Sequence, residues 1–155
     1  MYKIITLTGE INSGKYNVAL DLAKNSNVSF IHPFTDNESA FEEYHIVSKD
    51  ALDIMIEEEE VLTETIVKGY RYVFFKSQLV TGYNVLIVDD YSLVNLRENW
   101  KGKLYSIKVI SEHQRESTRV GVYLYNHEFN EVYNYGKDDF DELEWRIMDV
   151  CEPRD

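Results

Sequence analysis

Apolar and polar residues alternate along the chain with two rhythms. Residues 3–8, Val85-Leu86-Ile87-Val88 and Tyr105 to Ile110 are apolar runs with little interruption. Such runs read as strands covered on both faces, the pattern of a parallel sheet between helices. Val18, Ala19, Leu22 and Ala23 follow a three-and-four spacing that predicts a helix over 14–25, closed by Asn25-Ser26-Asn27. Residues 28–32 read as a second short strand, 33–43 as polar and irregular, and 44–47 as another short strand. Ser48 is placed to cap a helix whose buried stripe is Ala51, Leu52, Met55 and Ile56. Glu57 to Glu60 would set negative charge at the carboxyl end of that helix, an unfavourable arrangement. The helix is therefore expected to stop early and the run to form a solvated turn.

Val61 to Val67 and Tyr70 to Phe75 alternate as paired strands around Lys68-Gly69, and Lys76 to Thr81 reads as a short helix. Ser111 with Gln114 has the spacing of a capping box, which predicts a helix there. Residues 121–136 read as β-like or irregular. Asp138 to Val150 is a final helix with Phe140, Leu143, Ile147 and Val150 inward. Strand and helix alternate at both ends, with a β-rich insertion between. That order predicts an α/β fold: a three-layer core with a parallel sheet flanked by helices (1–32 and 82–155) and a small lobe of about 33–81. At 155 residues this is one domain, without repeat or low-complexity segment.

The first strand runs directly into Gly9-Glu10-Ile11-Asn12-Ser13-Gly14-Lys15-Tyr16-Asn17. A strand, a glycine-bracketed loop, a lysine and then a helix form a phosphate-binding loop. Gly9 and Gly14 permit a tight turn that bares backbone amides, and the helix start favours anions. Lys15 supplies a mobile cation for the outer phosphates. Gly9, Asn12, Ser13, Gly14, Lys15, Tyr16 and Asn17 are thus the candidate nucleotide-binding residues, with ATP and Mg2+ as the implied ligands. The usual loop ends in Lys followed by Ser or Thr, whose hydroxyl holds magnesium. Here Tyr16 follows, so Asn17 is the candidate to hold the metal or its water. Glu10 adds a carboxylate to the loop.

Composition narrows the partners. The formal net charge of −12 argues against a nucleic-acid backbone or an anionic membrane surface as partner. It leaves room for a nucleotide held locally, or for an acidic face that mimics nucleic acid towards a basic protein. The 12 Tyr and 7 Phe suit sheet faces and stacking surfaces. A single cysteine, Cys151, excludes an intrachain disulfide and suits a reducing compartment. The amino terminus reads as a strand rather than a leader, and no apolar run approaches a membrane span. A cytoplasmic protein is expected.

Several segments, in order, resemble guanylate kinase. Tyr44-His45-Ile46-Val47-Ser48 and the helix after it resemble the family's Tyr-x-Phe-Val-Ser segment. Gly69-Tyr70-Arg71-Tyr72 resembles the Gly-Asn-Tyr-Tyr-Gly turn, and Lys76-Ser77-Gln78-Leu79 the short helix that follows it. Gly82 to Asp90 resembles the strand ending in Asp-x-Asp, and Lys137 to Leu143 the Asn-Asp-Asp-Phe start of the last helix. The resemblance spans nearly the whole chain. It implies ATP on the loop and a nucleoside monophosphate, GMP or dGMP, in the small lobe. Carried over by residue, it places Tyr44 and Tyr72 on the acceptor phosphate, with Thr35 beside them. Thr63, with Glu64 one place on, falls at the base reader. Asp90 lies near acceptor and metal, and Asp89 near the metal. It assigns phosphoryl transfer to Lys15, Arg115 and Arg119.

The same comparison exposes departures. The family's Thr-Thr-Arg-x-x-Arg stretch falls at Pro33-Phe34-Thr35-Asp36-Asn37, which lacks arginine and places Asp36 where attraction for phosphate is expected. Val73 replaces a glycine, and the arginine-rich lid is reduced to Arg115, Arg119 and Gly121. Three functions stay open: a nucleoside monophosphate kinase, a guanylate kinase-like binding or regulatory module acting through protein contacts, and an acidic mimic.

Overall fold

The computed structural model describes residues 2–111, 119–120 and 124–151. The chain begins with β1 (Tyr2–Thr8), α1 (Lys15–Leu22) and β2 (Val28–Phe30). It continues through β3 (Phe34–Thr35), β4 (His45–Ile46), α2 (Lys49–Glu58), β5 (Val61–Val67) and β6 (Tyr70–Phe75), then a single 3-10 turn at Lys76–Gln78. Next come β7 (Gly82–Ile87), α3 (Asp90–Asn99), β8 (Lys103–Ser111), β9 (Arg119–Val120) and β10 (Leu124–Tyr125). A 3-10 turn at Asn126–Glu128, β11 (Glu131–Tyr135) and α4 (Phe140–Cys151) complete the described chain.

The main sheet has the order β11-β8-β1-β7-β2, and its pairings are parallel. The three apolar runs form its centre because both faces are covered. Ile5, Leu7, Val85 and Ile107 pack with Val18 and Leu22 of α1 and with Leu143 and Ile147 of α4. On the other face Ile4 and Leu86 pack with Leu93 and Leu96 of α3. This is the α/β sandwich expected from the order of elements.

A second sheet, β4-β3-β6-β5, is built from residues 34–75. Its strands alternate as pleated strands do, apart from a bulge in β5 between Val61 and Thr63. Val73 and Phe75 point to one face and pack on Leu52, with Phe34, Met55, Ile56 and Val61 around them. Tyr72 and Phe74 point to the other face, which looks towards β7 and α3.

Some expectations are corrected. Helix α1 ends at Leu22, short of 25, although the Asn25 side chain does close the turn by accepting from the Asn27 amide at 2.9 Å. Helix α2 runs on to Glu58 despite its acidic end. Burial of Leu52 outweighs the dipole cost, and Ser77 donates to Glu59 at 2.6 Å while Lys76 lies 3.5 Å from Glu60. Helix α3 was not expected, because Leu93 and Leu96 are its only fully covered apolar residues. Strand β3 interrupts the stretch read as irregular, and 76–81 holds one 3-10 turn rather than a helix. The helix predicted from Ser111 and Gln114 falls outside the described residues. No helix among the described residues is long and apolar enough to cross a membrane.

Candidate functional site

Parallel strands bring their carboxyl ends to one edge of a sheet, and ligands bind there. Strands β1 and β7 are adjacent, with Leu7 opposite Ile87, so the loop after Thr8 lies beside the segment Val88-Asp89. Backbone conformation in that loop is specific. Gly14 has φ 95, and a Cβ there would fall 2.4 Å from the Tyr135 ring. A Cβ on Gly9 would fall 2.4 Å from the Val109 carbonyl oxygen. Asn12 also lies in the left-handed region, with φ 66, where Asn is among the residues best tolerated. The Ser13 amide donates to the Glu10 carbonyl at 3.1 Å, and Ser13 itself is buried. Glu10 is exposed and lies away from the buried side of the loop.

Helix α1 starts at Lys15 without a side-chain cap. Its first amides have no intrahelical acceptor by geometry, so they are donors held ready for an anion. Lys15 Nζ donates to the Gly9 carbonyl at 2.6 Å, folded back along the loop. Burial lowers its pKa from the ordinary lysine value, and the Asp89 carboxylate opposes that shift. Tyr16 and Asn17 are both exposed on the first turn, and the Tyr16 ring stands edge-on to Phe30 at 5.5 Å. The hydroxyls of Thr8 and Ser13 are buried without a hydrogen-bond partner.

A cleft of about 340 Å³ lies between the second sheet and the end of β7. Tyr44, Tyr72 and Phe74 form its aromatic wall, with Asn37, Thr65 and Asp89 among its polar groups. Tyr44 and Tyr72 meet nearly perpendicular at 6.0 Å. Burial, then the neighbouring Tyr72 and Glu43, raise the Tyr44 pKa. Asn37 Nδ2 donates to the Tyr72 hydroxyl at 2.8 Å, and Thr35 Oγ1 accepts from the Asn37 amide at 3.1 Å. Thr35 is fully buried, so it orients Asn37 from behind and does not line the cleft.

Thr63 and Glu64 take different places from those the resemblance implies. A bulge between Val61 and Thr63 sets the register, which pairs Thr63 with Phe74, Glu64 with Val73 and Thr65 with Tyr72. Paired residues share a face. Glu64 therefore points away from the cleft and is exposed, while Thr63 is buried and donates to the Ser92 carbonyl at 2.7 Å. Thr65, two residues further along the same face, is the one that lines the cleft. Alternation from Thr63 was the signal that could have found it. Asn37 had no comparable signal, because it sits in a loop.

Asp89 is the N-cap of α3: Oδ1 accepts from the Ser92 amide at 2.7 Å, and Oδ2 accepts from Thr65 Oγ1 at 2.7 Å. Asp90 stands in the first turn of α3, outside the cleft lining, and accepts from the Tyr91 amide at 2.9 Å. Among the described residues no three His, Cys, Asp or Glu side chains converge as metal ligands. Arg115 and Gly121 fall outside the described residues, and Arg119 is the residue of β9 paired with Tyr125.

Asp36 does not confront the cleft. It accepts from the Arg71 amide at 2.9 Å and from Arg71 Nε at 3.1 Å. Arg71 also reaches Asp53 at 2.6 Å and the Lys49 carbonyl at 3.2 Å. Strand alternation places Arg71 on the face opposite Tyr72, so the cation nearest in sequence to the cleft is turned away from it. Burial works against the charge on Asp36, yet the bonds from Arg71 hold its pKa below the usual carboxylate value. The expected repulsion at this position is thus answered by a local ion pair.

In its fold the chain is similar to the crystal structure of guanylate kinase from Anaplasma phagocytophilum, with a TM-score of 0.63 and 14% sequence identity, over 96% of this chain and 84% of that one. No family model and no curated protein matches the sequence. The parallel sheet, its flanking helices and the second sheet together are a guanylate kinase-like P-loop fold.

Proposed function

We propose that this chain is a guanylate kinase-like domain that binds a nucleotide on the loop Gly9 to Asn17 and has lost phosphoryl transfer to a nucleoside monophosphate. One observation carries the second half of this reading: among the described residues, no Lys, Arg or His lines the cleft, and its one charged group is Asp89. Phosphoryl transfer depends on cations that hold both phosphates in line. A phosphate brought to about 5 Å from a carboxylate meets roughly 3 kcal/mol of repulsion per unit charge at an effective dielectric of ~20.

The loop is better equipped. Glycine conformations at 9 and 14, the uncapped start of α1 and the cation of Lys15 suit the phosphates of ATP. On swinging from the Gly9 carbonyl, Lys15 Nζ would pair with the outer phosphates. The fit to Mg2+ is poorer. Tyr16 offers no alcohol at the usual place, and both Asp89 oxygens already accept hydrogen bonds. The metal supplies charge neutralisation where it is bound, and here it would rest chiefly on the nucleotide's own phosphates and water.

Calorimetric titration with ATP and an ADP-release assay with each common ribo- and deoxyribonucleoside monophosphate test this reading. ATP binding that is lost in Lys15→Ala, without ADP formation for any acceptor, is the expected result. Monophosphate-dependent ADP formation that disappears in Lys15→Ala would overturn it. That result would establish the second reading, an active nucleoside monophosphate kinase, with GMP or dGMP the acceptor the resemblance implies. Its support is that the Asp89 carboxylate, which lines the cleft with Tyr44 and Tyr72, is close enough to Lys15 to favour its charged form.

A further inference from the structure

We propose that the cleft takes an uncharged nucleoside in preference to a nucleoside monophosphate. The inference rests on reading this face as a ligand cleft of a nucleotide-binding domain. Its size, about 340 Å³, lies within the range of small-molecule sites. Its wall is aromatic: Tyr44, Tyr72 and Phe74 line it, and Phe41, 73% exposed at the rim, stands perpendicular to Tyr44 at 6.1 Å. Such a wall suits a planar heterocycle.

The polar groups discriminate by the direction of their hydrogen bonds. Phosphate oxygens accept and need donors opposite them. At the inner end of the cleft the Thr65 hydroxyl donates its hydrogen bond to Asp89 Oδ2, so what Thr65 and Asp89 have left to present is lone pairs. Lone pairs recognise donors, such as sugar hydroxyls or ring N–H groups, and repel a phosphate. Beside Thr65 on the paired strand, Tyr72 accepts from Asn37 Nδ2 at 2.8 Å, so the donors that this wall keeps are neutral and held in place. Among the described residues no Lys, Arg or His lines the cleft to offset an anion. Arg71 is bound to Asp36, Asp53 and the Lys49 carbonyl on the far face, and Lys15 belongs to the loop, where it serves the phosphates bound there rather than the cleft.

Isothermal titration of the full chain with guanosine, adenosine, cytidine and uridine, each against its own 5′-monophosphate, tests the proposal. At least one nucleoside should bind about tenfold or more tightly than its monophosphate, equal to roughly 1.4 kcal/mol. Asp89→Asn, which keeps a good helix cap, should narrow that ratio by strengthening monophosphate binding. Tyr72→Phe keeps the ring and should weaken nucleoside binding severalfold, in a protein that still unfolds cooperatively and melts within a few degrees of wild type. A monophosphate that binds more tightly than its nucleoside, a ratio unmoved in Asp89→Asn, or no binding by any nucleoside each overturns the proposal. The two readings fail separately. A monophosphate that binds well without being phosphorylated refutes the nucleoside preference alone, and ADP formation with a monophosphate refutes the loss of transfer.

Discussion

Replacing Asp36 with alanine removes the carboxylate that organises Arg71. The side chain of Asp36 is 9% exposed and that of Arg71 19%, so the pair is largely shielded from water. Asp36 accepts two hydrogen bonds from Arg71, at 2.9 Å from the amide and 3.1 Å from Nε. Breaking a fully buried pair costs about 3–5 kcal/mol, because one charge is left uncompensated. Here Arg71 keeps Asp53, which is half exposed, and the Lys49 carbonyl, so the loss should be smaller, about 2 kcal/mol. For a domain of this length that corresponds to a fall of about 4–8 °C in melting temperature. The same pair makes a pH prediction. The folded pKa of Asp36 lies below its unfolded value. Its stabilisation is therefore fully present above the unfolded pKa, near 3.9, and is lost as pH falls through the folded value. Urea denaturation at pH 7 and at pH 3 should show a gap between wild type and Asp36→Ala that shrinks on acidification. A gap below about 0.5 kcal/mol at pH 7, or one equal at both pH values, would refute the assignment.

Other perturbations probe other parts of the fold. Gly14→Ala combines φ 95 with a methyl group 2.4 Å from the Tyr135 ring, so it should lower stability by about 1–3 kcal/mol and weaken ATP binding, as measured by thermal melting and calorimetry. If Gly14→Ala melts and binds as wild type does, the loop conformation is not a requirement. Leu52→Ala empties a fully buried position between α2 and the second sheet and should cost about 2–5 kcal/mol in denaturant titrations. A loss under about 1 kcal/mol would mean that α2 is not anchored there. The His32 ring lies tilted against Phe30 at 4.3 Å, and burial holds its pKa below the ordinary value. Its stabilising effect is present above the unfolded pKa, near 6.5, and is lost as pH falls through the folded value. An imidazole proton titration by NMR should have its midpoint below 6.5, and a midpoint above it would contradict the packing.

Local physics made much of the architecture legible in the chain. Uninterrupted apolar runs mark strands covered on both sides, and β1, β7 and β8 are those strands. Lys68-Gly69 between alternating runs marks the hairpin of β5 and β6, where both residues adopt positive φ, 52 and 84. Ser48 marks the start of α2, and its hydroxyl does accept from the Ala51 amide at 3.1 Å. The glycine-bracketed loop is equally local, because its conformation depends on which residues lack a Cβ. Each of these signals lies within a few residues of its consequence.

The cleft depends on distant partners. Asp36 and Arg71 are 35 residues apart, Thr65 and Asp89 are 24 apart, and Asn37 and Tyr72 are 35 apart. Asp89 serves as a helix cap only because α3 exists, and α3 has too few covered apolar residues to announce itself. Glu64 turns out of the cleft because a bulge near Val61 shifts the pairing of β5. A one-residue shift sends a strand side chain to the opposite face, and no propensity of Thr63 or Glu64 encodes it. The chain by itself determined the strands, the loop and the polar residues available to the cleft. Tertiary structure alone decided which of them face it, because strand register and ion pairing are settled between segments that meet only on folding.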